Sequence, residues 1–246
     1  MSEPGLPHHP KVIPFAAFHR NTGRSTLLAA LAVRLSREKR VLVLDADISA
    51  PQQQTLLGVP ARNVEFTLND HLVGLCDLAQ TVQDLSGPQK NHAGALYMIP
   101  ASDDLTVASR TLREEYDSAV LIQDLQRLAH TLSIDHVLID MPVGLSGTTL
   151  PLMSISDLLM VVVRIEKKDY EGIGVILDVA RKLDVPHLML NVNMVHRTYP
   201  LDEVRHKFSE SYRVETHAFP HITPLSTSPE GEEAMQELCT RIRELG

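Results

Sequence analysis

A chain of 246 residues with a formal net charge of −8 and a pI near 5.8 is long enough for one large core. Its charge argues against bulk coating of nucleic acid, leaving only a local basic patch for direct binding. With no tryptophan and 4% aromatic residues, a stacking platform for single strands is not indicated. No apolar run reaches the length of a membrane span. Cys76 and Cys239 show neither metal spacing nor an evident pairing, as expected of free thiols in a reducing cytoplasm. Residues 1–10 carry prolines and histidines without an apolar stretch, so they read as a short disordered lead and not as a secretory signal.

The first predicted strand is Lys11–Ala17, and a helix follows over Ser25–Glu38, where Leu27, Leu28, Leu31 and Leu35 recur at helical spacing. Arg40–Leu44 is a continuous apolar run, the pattern of a parallel strand covered on both faces, and it leads into Asp45-Ala46-Asp47. Short helices are predicted at Pro51–Leu57 and at Thr67–Ala79, the second with Thr67 as cap. Gln80–Gly94 reads as loop, Ala95–Ile99 as strand, and Ala101–Glu115 as loop with helical turns. Then come a helix at Ser118–Leu132, a strand at His136–Ile139 ending in Asp140, and a glycine-bearing loop over Met141–Gly147. The remaining predicted elements are helix Thr149–Ile155, strand Leu158–Val163, helix Tyr170–Leu183, strand His187–Val192, helix Leu201–Ser211, strand Val214–Phe219 and helix Glu230–Leu245. The apolar side of the last helix has acidic, not basic, flanks, which favours packing on the sheet over lying on a membrane. Alternating strands and helices predict an α/β fold, a single domain over 11–246 with a mostly parallel sheet between two helical layers. Ligands of such sheets bind beyond the carboxyl ends of the strands.

The stretch FHRNTGRST sits at the first such end. A buried strand, a turn and a helix N-terminus form the layout of a phosphate-binding P-loop. Gly23 permits close approach of backbone to phosphate, Ser25 offers a hydroxyl to Mg²⁺, and Thr26 can cap the helix or contact an α-phosphate. Asn21 stands where a glycine is usual and tolerates positive φ. Phe18 holds the place of the first glycine of the usual pattern, and Arg24 that of the lysine that reaches the β- and γ-phosphates, which is not a conservative exchange. Of Asp45 and Asp47, one can hold the Mg²⁺ shell and the other orient water. Asp140 is placed as a Walker-B carboxylate, and the loop with Pro142 and Gly144 is a candidate γ-phosphate sensor. Carboxylates at several strand ends beside the loop make a phosphate–Mg²⁺ site a more specific reading than any one of them alone.

Taken together, FHRNTGRST, VLVLDADISAP with TLLG, HVLIDMPVGLS, SDLLMVVVR and LNVNMV resemble the MinD/ParA family of deviant Walker-A P-loop ATPases, over about Lys11 to Glu244. A MinD-like subgroup with the loop FRGGTGKS is the nearest in pattern. The resemblance implies a sheet of seven or eight strands, ATP/ADP and Mg²⁺ as ligands, and a homodimer with nucleotide at its interface. It further implies slow ATP hydrolysis driving a switch in intracellular positioning, partitioning or assembly, with a protein partner or cargo that the residues do not name. Carried over, the loop His19, Arg20, Asn21, Thr22, Gly23, Arg24, Ser25 and Thr26 binds nucleotide, with Ser25, Asp45 and Asp140 at the metal. Asp47, Arg24 and Asp140 act in hydrolysis, Asn193 meets the adenine, and Pro220 lies near it. The chain departs from the family where His19 replaces the signature lysine, Arg20 and Asn21 replace two glycines, and Arg24 replaces the Walker lysine. The family's membrane-targeting tail is not evident. Loss of two cations that stabilise a transferring phosphoryl group slows hydrolysis. The alternatives are a degenerate relative acting as scaffold or dimerisation partner without hydrolysis, a ligase of the same superfamily that activates a small carboxylate with ATP, and a DNA-binding structural protein.

Overall fold

The computed structural model describes residues 9–87, 94–113, 116–221 and 228–245; the expected lead over residues 1–8 lies outside them. Apolar runs bounded by polar ends form the strands β1 (Lys11–Ala16), β2 (Arg40–Asp45), β3 (Gln83–Asp84), β4 (Ala95–Ile99), β5 (His136–Asp140), β6 (Leu158–Val163), β7 (His187–Val195) and β8 (Glu215–Pro220). They join in one eight-stranded sheet in the order β3-β4-β2-β5-β1-β6-β7-β8. Every pairing is parallel except that of β3 with β4. The fold class and strand number agree with expectation.

The helices are α1 (Arg24–Leu35), α2 (Gln53–Leu56), α3 (Leu68–Leu72), α4 (Leu105–Arg113), α5 (Ser118–Thr131), α6 (Thr149–Ser154), α7 (Lys167–Lys182), α8 (Leu201–Tyr212) and α9 (Pro229–Glu244). Because side chains alternate along a strand, the sheet feeds two cores. On one face Ile13, Phe15, Val43, Leu138 and Met160 pack with Leu27, Leu28 and Leu31 of α1 and Leu238 and Ile242 of α9. On the other, Leu42, Leu44, Ile139 and Val161 pack with Leu121 and Leu125 of α5, Ile173 and Ile176 of α7 and Phe208 of α8. The closing helix therefore packs on the sheet, as its pattern indicates. Among the described residues no helix is long and apolar enough to cross a membrane.

Several elements differ from the sequence reading. The helix expected over 67–79 stops at Leu72. Thr67 N–H donates to Asp70 Oδ2 at its start (2.8 Å). At its end Gly74, at φ 74°, lets Leu75 N–H return to Asp70 O (2.9 Å) and its own N–H reach His71 O (2.9 Å), a left-handed stop that apolar periodicity does not register. Within the stretch read as loop, Gln83–Asp84 adds an antiparallel edge to β4. Residues 88–93 of that stretch lie outside the described residues. The segment after Pro100 holds the nine-residue helix α4, started by Thr106 N–H on Asp104 Oδ1 (2.7 Å).

The order of strands places β1 between β5 and β6. The chain leaves β1 toward β2 on one side, whereas β5 passes on to β6, β7 and β8 on the other. Such a reversal opens a crevice at the carboxyl ends of the central strands, and the loop after β1 lies there.

Candidate nucleotide site

The turn out of β1 is built for a close helix start. Asn21 adopts φ 62° and Gly23 φ 78°. Gly23 caps α1, and the first intrahelical bond runs from Leu27 N–H to Gly23 O (2.9 Å). The N–H groups of Arg24, Ser25 and Thr26 are thereby left without helical acceptors, at the positive end of the helix dipole. A cavity of about 260 Å³ opens over them, lined by the continuous run His19–Thr26 together with Asp47, Ala50, Gln52, Leu56 and Val143. It is a concave, polar, amide-lined hollow at a helix N-terminus, the arrangement that receives phosphate.

Beneath it stand the carboxylates. Asp45 and Asp140 are partners in the β2–β5 register, so the pleat sends both side chains to the α1 face. There Arg24, 6% exposed, lies between them and the next aspartate. Its Nε donates to Asp140 Oδ1 at 2.5 Å and its Nη2 to Asp47 Oδ2 at 3.0 Å. Gln53, fully buried on α2, donates from Nε2 to Asp140 Oδ2 (2.7 Å) and to Ser25 O (3.1 Å). Ser49 Oγ donates to Asp47 Oδ1 (2.8 Å) and accepts from Arg20 Nη2 (3.0 Å). Asp45 Oδ2 accepts the N–H groups of Gln52 (2.9 Å) and Gln53 (2.8 Å). Burial, and then the neighbouring charge of Asp140, raises the Asp45 carboxyl from 3.8 to about 8. Through these two backbone bonds Asp45 anchors the start of α2 from within the core.

The carboxylates of Asp47 and Asp140 are not free to hold a divalent cation directly. Mg²⁺ requires free oxygens at near-octahedral positions. Both oxygens of Asp140 and both of Asp47 already accept N–H or O–H donors, and Asp45 Oδ2 accepts two backbone N–H groups; of the expected metal residues, only the Ser25 side chain, in the cavity lining, and the buried Asp45 Oδ1 stand outside this network. Among the described residues no group of three His, Cys, Asp or Glu side chains is disposed to hold a metal. The guanidinium of Arg24 takes the position between the carboxylates.

The remaining expected residues fall in two places. His19, Arg20, Asn21, Thr22 and Thr26 line the cavity with Gly23, Arg24 and Ser25. His19 Nε2 is also 3.1 Å from Lys168 O at the start of α7. Asn193 and Pro220 are not part of its lining. Asn193, at a bulge in β7, donates from Nδ2 to Thr22 O (2.9 Å), bracing the loop from the side. The bulge puts Met194 at φ 57°. Pro220 closes β8 opposite Val195. The loop after Asp140 is tied to the same turn, Gly144 N–H donating to Ala17 O (2.9 Å).

Three contributions escape the sequence reading. Gln53 and Ser49 carry no periodicity that separates them from their neighbours, and Gln52-Gln53-Gln54 are alike as letters. Phe18, in place of a glycine, packs its Cβ and ring against Gly172 of α7, where any Cβ would overlap it. An aromatic residue at that position beside a glycine-bearing helix is the one available clue.

Comparison with known proteins places this geometry. Residues 10–192 match the family described as "AAA domain". An uncharacterized ATP-binding protein of Methanocaldococcus jannaschii is 30% identical over 184 residues, 74% of this chain and 64% of that protein. An uncharacterized protein of Pseudomonas putida is 30% identical over 181 residues, 70% of this chain and 63% of its own length. These curated relatives are thus matched over less than two thirds of their lengths. The fold is shared with MinD of Pyrococcus horikoshii complexed with Mg-ADP, at a TM-score of 0.74 and 20% identity over 96% of this chain and 97% of that one. It is also shared with a plasmid partition protein of Borrelia burgdorferi, at 0.74 and 17% over 96% and 100%, and with the MinC:MinD complex of Aquifex aeolicus, at 0.77 and 17% over 95% and 96%. The family match across most of the chain, on a sheet whose first turn is a P-loop, makes this chain a member of the MinD/ParA-like family of P-loop ATPases.

Proposed function

We propose that the chain is a cytoplasmic nucleotide-dependent switch. It binds ATP and ADP at His19–Thr26, hydrolyses ATP slowly, and uses the bound state to control homodimerisation and the capture of a protein partner or cargo in positioning, partitioning or assembly. The observation that carries the reading is the cavity lined without interruption by residues 19–26 over the amide-rich start of α1. The partition and MinD names of proteins with this fold support the class of role. Slow hydrolysis follows from the position of Arg24: the carboxylates expected to orient water and to hold the metal in phosphoryl transfer are Asp47 and Asp140, and here both are bound to Arg24.

The same ion pairs favour a second reading, a nucleotide-binding scaffold without turnover. Titration calorimetry of the chain with ATP, ADP and a non-hydrolysable ATP analogue tests the first step. Micromolar to millimolar binding is expected, and no heat with any of the three refutes both readings. Phosphate release measured against a vector-only preparation separates them, since binding without release selects the scaffold. Light scattering with and without the analogue checks the dimer: an unchanged mass in saturating analogue refutes nucleotide-controlled homodimerisation.

A further inference from the structure

We propose that the guanidinium of Arg24 takes the place of a divalent cation, so that this site binds nucleoside di- and triphosphates as free polyanions in preference to their magnesium complexes. The inference rests on the nucleotide-binding reading above and specifies its ligand.

A phosphate cavity bordered by buried carboxylates needs a cation between them, because two uncompensated negative charges repel a third. Arg24 already provides it. Its planar fork holds Asp140 with Nε and Asp47 with Nη2 at once, the two-point geometry that suits guanidinium and that a lysine ammonium on a flexible stem does not reproduce. The opposite oxygens of the two carboxylates are closed by Gln53 Nε2 and Ser49 Oγ. A metal ion entering here would have to displace several donors and share the space with a positive charge.

The arrangement also leaves something for the nucleotide. Arg24 lines the cavity, and its Nη1 is buried with no partner among the described residues. A buried donor without an acceptor is costly, and a phosphate oxygen is the acceptor that such a site can receive. The free amides of the first turn of α1, with the Arg24 guanidinium beneath them, give the polyphosphate a metal-free seat. The ion pairs with Arg24 offset one of the two negative charges of Asp47 and Asp140 without consuming this donor.

The test is the dissociation constant of ADP and of a non-hydrolysable ATP analogue for the full chain, by calorimetry, in EDTA and in millimolar MgCl₂. Binding in EDTA at least as tight as in Mg²⁺ is expected. Tightening by Mg²⁺ of more than about threefold overturns the proposal and leaves the nucleotide-binding reading intact; no binding in either buffer overturns both. Arg24→Lys is expected to introduce a preference for Mg²⁺ of about tenfold, and an Arg24→Lys protein as indifferent to Mg²⁺ as the wild type overturns the assignment to Arg24. Should that variant fail to fold, electron paramagnetic resonance of Mn²⁺ with the wild-type chain and ADP gives an independent readout. No spectrum of protein-bound Mn²⁺ is expected, and its appearance at stoichiometric occupancy overturns the proposal.

Discussion

Replacing Arg24 by methionine keeps much of the side-chain volume and removes the charge. Asp47 and Asp140 are 3% and 0% exposed, so neither can recover hydration once the guanidinium is gone. Breaking a buried pair by deleting one partner costs about 3–5 kcal/mol, a large part of the roughly 5–15 kcal/mol that holds a domain together. Arg24→Met is therefore expected to lower the unfolding free energy at neutral pH by that amount, read as a lower urea midpoint with the slope unchanged. The triple variant Arg24→Met, Asp47→Asn, Asp140→Asn, which carries none of the three charges, is expected to regain most of the loss, giving a large coupling energy in the cycle. Millimolar Mg²⁺ is expected to stabilise Arg24→Met, whose carboxylates are then open to it, and to leave the wild type unmoved. A loss below about 1 kcal/mol, the range of solvated surface pairs, refutes the reasoning, because it means that the cluster is hydrated in solution.

Gly172→Ala is expected to cost about 1–3 kcal/mol by overpacking against Phe18, and the cost is expected to vanish in a Phe18→Gly background; equal costs in both backgrounds in thermal or urea unfolding refute the contact. Asp45→Asn tests the buried carboxyl. A folded pKa near 8 against 3.8 unperturbed means that the folded chain keeps a proton which the unfolded chain releases. That contribution to wild-type stability is complete below the unfolded value and is lost as pH rises toward 8. The asparagine variant should gain on the wild type between about pH 5 and pH 8, at roughly 1 kcal/mol per pH unit, and a pH-independent difference between the two unfolding curves refutes the raised value.

Much of the candidate site could be read from local pattern. KVIPFAAFHRNTGRST announces a strand, a turn and a helix start by its pattern, and positive φ at Asn21 and Gly23 follows from residue types that tolerate it. Gln53 was not legible, because nothing in three adjacent glutamines says which one faces inward until α2 is docked. The stop of α3 at Gly74 was visible as a letter, but the apolar residues beyond it kept helical spacing, and periodicity outweighed the glycine. The roles of Asn193 and Pro220 came from family likeness, and their described neighbours are the loop backbone and β7.

The sequence by itself determined the layers. Runs such as Arg40–Leu44 and Leu158–Val163 can only be buried on both faces, and amphipathic segments between them can only cover a sheet, because both follow from burying apolar area at a fixed side-chain period. It also determined that acidic residues end two strands near a P-loop. Only the tertiary structure decided what those acids meet. Arg24 and Asp140 are 116 positions apart and Arg24 and Asp47 are 23 apart, and their pairing depends on β2 and β5 lying in register with α1 laid over them. Ion pairing falls off within a few ångströms and takes no account of distance along the chain. The substitution of arginine for lysine was therefore visible as a letter, while its consequence, a cation held between two aspartates at the floor of the cavity, was decided by the fold.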